Sequence, residues 1–127
     1  MPSGPAILVV EDEALIRLML AEALLDEGYR VLEAEHAAAA LEQLERESAI
    51  DLVISDVRMP GEMDGVALAR WIRRNRPGLK VVLTSGYVSG VDHRGLAQDI
   101  DAFIGKPYHV TEVVSRIAQL IQANRCG

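Results

Sequence analysis

An α/β fold built on a buried parallel sheet is the class this sequence predicts, and three observations carry it. Five short apolar, β-branched runs alternate with helix-length amphipathic stretches, as successive βα units do. Half of the residues are hydrophobic yet only 4% are aromatic, so the core must be built from Val, Ile, Leu and Ala, the composition of helices covering a sheet buried on both faces. A chain of 127 residues suits one domain and leaves little material for a second core.

The first strand is read at Ala6–Val10, followed by a helix near 13–27 on which Leu15, Ile16, Met19 and Ala23 share a face until Gly28 ends it. Arg30–Ala34 is the second strand; a helix near 36–47 follows, and its run Ala37–Ala40 is good helix sequence. Asp51–Ser55 is the third strand. The next helix, near 65–75, places Trp71, like Met19 before it, at core spacing and closes at Pro77-Gly78. Lys80–Thr84 is the fourth strand, ended by Gly86. A helix near 91–99 rests on the alternation alone, because Val91–Ile100 has weak periodicity. Ala102–Ile104 is the fifth strand. A last helix near 110–124 carries the 3.6-period stripe Val110, Val113, Val114, Ile117 and Ile121, with Thr111 as its candidate cap. Right-handed crossovers then put helices on both faces and leave the carboxyl ends of the strands for chemistry.

Charge and composition narrow the partners. Thirteen basic against 19 acidic residues give a net charge of −6, and that field repels a phosphate backbone, so no direct nucleic-acid partner is expected. Cys126 is the only cysteine, and with no internal disulfide available a reducing compartment fits. No basic stretch precedes an apolar run at the N-terminus, and no apolar segment approaches bilayer-crossing length. A cytoplasmic protein with no membrane partner is therefore expected, and the opening Met with clean ends favours a standalone one.

Chemistry enters at the strand ends. The first strand runs into Glu11 and Asp12, the third into Asp56, the fourth ends on Thr84, and the fifth runs into Lys106 and Pro107. The second carries no comparable group, as suits an edge strand remote from a site. Carboxylates gathered at one end of a sheet repel one another unless a cation joins them, and oxygen-only ligands suit Mg²⁺, which keeps room for a phosphoryl donor. Lys106 supplies a second positive charge, Thr84 a hydroxyl donor, and Asp56 a nucleophile able to form an acyl phosphate. Taken singly, each has a plainer reading: Asp56 a cap, Lys106 a solvated charge, Thr84 a β-propensity choice, and Glu13 the acidic first turn of a helix. Convergence at four strand ends selects the functional one. His36, His93 and His109 stand near helix starts without metal-pair spacing and are read as surface residues. Tyr87 and Tyr108 flank the site, either as packing residues or as part of an output face.

The segments ILVVEDE, LVISDVRMPGEMDG, VVLTSG and FIGKPY resemble the four signature segments of response-regulator receivers, and the likeness spans essentially the whole chain. It implies a flavodoxin-like, doubly wound five-stranded parallel sheet of order 2-1-3-4-5 with five helices, one receiver domain over 1–127 with its core at about 5–124. It implies Asp56 as phosphoacceptor, supplied by a histidine kinase or a histidine phosphotransfer protein. Glu11 and Asp12 would orient Mg²⁺, with the backbone carbonyl of Arg58 a further ligand. Thr84 would be the switch hydroxyl, Lys106 the phosphoryl-binding cation, Phe103 the switch aromatic, and Lys106-Pro107 a cis peptide. Such a domain is a phosphoacceptor that assists its own phosphorylation and dephosphorylation, not an enzyme, and its output would be a protein-binding surface.

Two features depart from the pattern: the loop from Asp56 to Gly65 is one residue longer, with Gly61-Glu62 where one residue is usual, and Arg58 stands at a position that tunes phosphoryl lifetime. The rival readings are a haloacid-dehalogenase-type phosphatase, a flavin mononucleotide binder, and the receiver portion of a larger hybrid kinase. The phosphatase should carry a second Asp at position 58; the flavin binder needs a Ser/Thr/Gly-rich first loop where Glu11-Asp12-Glu13 would repel phosphate.

Overall fold

The computed structural model describes residues 4–59, 61, 63–86 and 99–126. Five strands, β1 (Ala6–Val10), β2 (Arg30–Ala34), β3 (Leu52–Asp56), β4 (Lys80–Ser85) and β5 (Ala102–Gly105), pair in parallel in the order β2-β1-β3-β4-β5. Around them stand α1 (Ala14–Asp26), α2 (Ala37–Arg46), α3 (Gly65–Asn75) and α4 (Val110–Cys126). The helix expected near 91–99 falls, apart from Asp99, outside the described residues, as do Tyr87, His93 and Glu62.

Successive residues of a strand point to opposite faces, and this alternation divides the core in two. Ile7 and Val9 of β1, Leu52 and Ile54 of β3 and Val82 of β4 pack under Leu20 and Leu24 of α1 and Val113, Ile117 and Ile121 of α4. Leu8 and Val10, Val53, Val81 and Leu83 face the other way, under Ala37, Ala40 and Leu44 of α2 and Leu68, Ala69 and Ile72 of α3. Both faces being covered explains why β1, β3 and β4 read as unbroken apolar runs.

Several boundaries differ from those the sequence suggests. Asp51 lies outside β3: its carboxylate accepts the Ala6 amide at 2.8 Å while its own amide donates to the Ala6 carbonyl at 2.8 Å, so it clamps the start of β1. The ladder between β4 and β5 runs on through Ser85 and Gly105. α4 begins at Val110, which puts Thr111 inside its first turn and not at its cap; there the amide of Glu112 donates to the His109 carbonyl at 2.9 Å. Glu13 is the residue before α1 rather than part of its first turn.

The α1 face is a clear correction. Leu20, Ala21 and Leu24 are buried, while Leu15 is 82% and Met19 44% exposed. Leu18 and Leu25 are exposed too, so leucines surround this helix and its sequence offers several apolar stripes of nearly equal merit. Trp71, by contrast, is half-buried against the core, as its spacing suggests. Caps are better specified: His36 Nδ1 accepts the Ala39 amide at 3.1 Å, Asp64 Oδ1 accepts the Ala67 amide at 2.9 Å, and Gly28 ends α1 with φ of 93°. No helix among the described residues is long and apolar enough to cross a membrane.

Candidate functional site

The sheet order makes β1 and β3 neighbours, and their register decides what meets at the carboxyl ends. Val10, the last residue of β1, lies beside Ser55, so Glu11 and Asp12 emerge beside Asp56, the last residue of β3. One carboxylate oxygen from each of Glu11, Asp12 and Asp56 lies within 4.8 Å of the others. On the opposite side of β3, Asp56 pairs in register with Thr84 of β4, and the Val57 amide donates to the Thr84 carbonyl at 2.9 Å. Thr84 is buried.

Lys106 arrives from the end of β5, fixed by its amide donating to the Ser85 carbonyl at 2.8 Å. Its Nζ stands 2.9 Å from Asp56 Oδ2 and 3.5 Å from Glu11 Oε1. Burial by itself pulls an ammonium's pKa down, but the hydrogen bond it donates to Asp56 and the negative charges of Asp56 and Glu11 outweigh it, and the Lys106 pKa is raised above the ordinary lysine value. Glu11 is only 1% exposed, and burial raises its carboxyl above the usual range despite the Glu13 amide, which donates to Oε2 at 3.1 Å, and despite Lys106.

Arg58 is exposed, and its amide points at Asp56 Oδ1 at 3.4 Å. In the loop between Asp56 and Gly65, Gly61 adopts φ of 103°, a conformation that favours glycine. Past that loop the chain is drawn back hard against Asp56. The Gly65 amide donates to the Val57 carbonyl at 2.8 Å, and a Cβ at Gly65 would stand 2.1 Å from the Asp56 carbonyl oxygen. Any side chain there would displace the backbone of Asp56. In the sequence Gly65 reads as a helix boundary, and its place directly after the capping Asp64 is the signal that a close approach accompanies it.

Phe103 lies beside Leu83 in the sheet and is half-buried, packed against the core under α2 and α3. The Lys106-Pro107 peptide is cis. Tyr108 is half-buried, and burial raises its pKa; with Ile16, Met19, Lys106 and Pro107 it lines a groove of about 390 Å³ beside the carboxylates.

Whether the residues present fit a magnesium ion follows from their donor set. The clustered ligands are all carboxylate oxygens, with no nitrogen or sulfur donor among them, which is the preference of a hard divalent cation. When ionised, three carboxylates against the single Lys106 ammonium leave two negative charges uncompensated, and a divalent cation matches them. The set fits.

A family model described as the response regulator receiver domain matches residues 7–118. The chain is 37% identical to the sensor kinase CckA of Brucella abortus over 94% of its own length but only 13% of that protein's. It is 34% identical to the response regulator receiver protein CpdR of the same organism, over 92% of this chain and 97% of that one. Among solved structures, the response regulator protein TrrA of Thermotoga maritima, in complex with Mg²⁺ and BeF, superposes with a TM-score of 0.80 at 32% identity, covering 91% of this chain and 98% of the other. These likenesses leave the phosphatase and flavin-binding readings without support. On sequence and on fold alike, this chain belongs to the response regulator receiver domains of two-component signalling.

Proposed function

We propose that the chain accepts a phosphoryl group on Asp56 from the phosphohistidine of a histidine kinase or histidine phosphotransfer protein, in a Mg²⁺-dependent reaction, and changes a protein-binding surface as a result. One observation carries the reading: the Asp56 carboxylate sits at 2.9 Å from Lys106 and inside the carboxylate cluster with Glu11 and Asp12. An Asp56 oxygen attacks phosphorus, the phosphorus–nitrogen bond of the donor breaks, and an acyl phosphate remains. Glu11, Asp12, Asp56 and the Arg58 carbonyl would hold Mg²⁺, which when bound would supply charge neutralisation for the phosphoryl oxygens. Lys106 gives a second cation on the other flank and Thr84 a hydroxyl donor. That the similar protein TrrA is found in complex with Mg²⁺ and BeF supports a Mg²⁺-dependent reaction here.

Residues about 5–124 act as one receiver unit, working in the cytoplasm without direct contact to nucleic acid or membrane, and as a phosphoacceptor instead of a turnover enzyme. The 13% coverage of CckA favours, as a second reading, the same unit serving as the receiver portion of a hybrid kinase. In either setting Thr84 and Phe103 form the switch: a hydroxyl drawn toward the phosphoryl group changes the space beside the strand on which Phe103 lies.

Incubation with Mg²⁺ and acetyl phosphate, read by intact mass spectrometry, should add one phosphoryl group to the parent and none to Asp56→Asn. Equal uptake by Asp56→Asn would show that another residue is the acceptor.

A further inference from the structure

Glu11 is held at both of its peptide groups. Its amide prolongs the sheet ladder by donating to the Ala34 carbonyl at 3.0 Å, and its carbonyl accepts from Arg17 Nη1 at 2.7 Å. A peptide unit is planar, so the Glu11 carbonyl and the Asp12 amide share one rigid plane. Whatever fixes that carbonyl also fixes the direction in which Asp12 leaves the strand.

Arg17 is itself anchored. Its amide donates to the Glu13 carbonyl at 2.9 Å in the opening turn of α1, and its Nε pairs with Glu33 Oε1 at 3.3 Å. The Glu33 carbonyl in turn accepts from the Gln43 side chain of α2. The Arg17 side chain is only 18% exposed. A planar guanidinium serves a carbonyl and a carboxylate at once, from different nitrogens, where a single ammonium cannot hold the same geometry. The end of β2, which reads in sequence as remote from the chemistry, thus reaches the site through Glu33.

We propose that Arg17 is a positioning residue for the metal site: braced against Glu33, it locks the Glu11–Asp12 peptide so that both carboxylates converge with Asp56. This rests on the reading of Glu11, Asp12 and Asp56 as a Mg²⁺ site. Coulomb's law alone gives the opposite sign, since a guanidinium repels Mg²⁺ and its removal should tighten binding. Arg17→Lys separates the two effects, because it keeps the charge and loses the fork. The Glu33 carboxylate is 45% exposed, and such a pair contributes little by itself, so Glu33 matters less than Arg17.

The test is isothermal titration calorimetry of Mg²⁺ into the full chain as parent, Arg17→Lys, Arg17→Met and Glu33→Gln, with thermal unfolding in EDTA alongside. Arg17→Lys should weaken Mg²⁺ binding roughly three- to tenfold, and Glu33→Gln by a smaller factor in the same direction. A dissociation constant in Arg17→Lys equal to or tighter than the parent's overturns the proposal, and so does a lowered unfolding midpoint in EDTA with unchanged Mg²⁺ affinity, which marks a purely structural residue. Should Arg17→Met fail to fold, Arg17→Lys still decides. A parent that takes up no Mg²⁺ overturns the underlying metal reading as well, whereas a binding parent with unaltered variants overturns only the role of Arg17.

Discussion

Glu11 places a carboxyl group at 1% exposure, with Lys106 at 3.5 Å shared with Asp56. Burial lifts its pKa in the folded chain, so the native state holds this proton at pH values where the unfolded chain has already released it. By linkage, the metal-free fold loses stability as pH rises from the ordinary carboxylate value through the raised one. Glu11→Gln removes that loss. In EDTA at neutral pH the variant should unfold at a higher temperature, by roughly 3–5 °C for each ~1 kcal/mol in a chain of this size, while binding Mg²⁺ more weakly. In acid, where Glu11 is protonated in both states, the advantage should vanish. Melting curves at two pH values check it, and an advantage that persists in acid would show that charge is not its cause. At this scale the acidic cluster and Lys106 were legible because their positions are strand ends, and strand ends are set by apolar runs. Arg17 was not, because it acts on a backbone carbonyl, and a carbonyl leaves no mark on the identity of the residue that owns it.

Elements differ in how much of themselves the sequence declares. The stripe on α4 was readable, since Val113, Ile117 and Ile121 are its buried residues and polar residues fill the opposite side. α1 was not, because its leucines leave no polar face to exclude. The start of β3 shifted because a side chain took over from the ladder, as Asp51 does beside Ala6. The end of α2 is completed from outside in a way spacing cannot reveal. Arg76 Nη1 donates to the Leu44 carbonyl at 2.7 Å and Nη2 to the Ser48 carbonyl at 3.0 Å, satisfying acceptors that the helix leaves open. Arg76→Ala should therefore destabilise the fold by about 1–2 kcal/mol, with Arg76→Lys retaining part of it. Urea unfolding should show a lower midpoint at unchanged slope. Mg²⁺ affinity should not move, since these carbonyls lie near the amino ends of β3 and β4, at the end of the sheet away from the carboxylates. Parent-like stability in Arg76→Ala would mean that water satisfies the same acceptors equally well.

At the scale of the whole molecule, the order β2-β1-β3-β4-β5 makes the chain turn to opposite sides of β1, and the crevice at that reversal is where open α/β sheets bind ligands. The order was legible through resemblance to receivers, not through composition, which fixes the layers but not the sequence of strands within them. Its consequence is that the charged groups of the site come from distant parts of the chain: Lys106 and Asp56 stand 50 residues apart and still meet. An unfolded chain cannot present such a set, so a cation that binds it stabilises the fold by mass action. Mg²⁺ at about a hundred times its dissociation constant should add about 2.7 kcal/mol to the unfolding free energy. Asp12 is exposed, so Asp12→Ala removes a ligand and a like charge without opening a cavity. That variant should be at least as stable as the parent in EDTA and should lose most of the gain on adding Mg²⁺. Denaturant unfolding of both proteins across a Mg²⁺ series measures the difference directly. A parent whose stability ignores Mg²⁺ would deny that the cluster is a cation site, and an Asp12→Ala protein that gains as much as the parent would place the ion on other ligands.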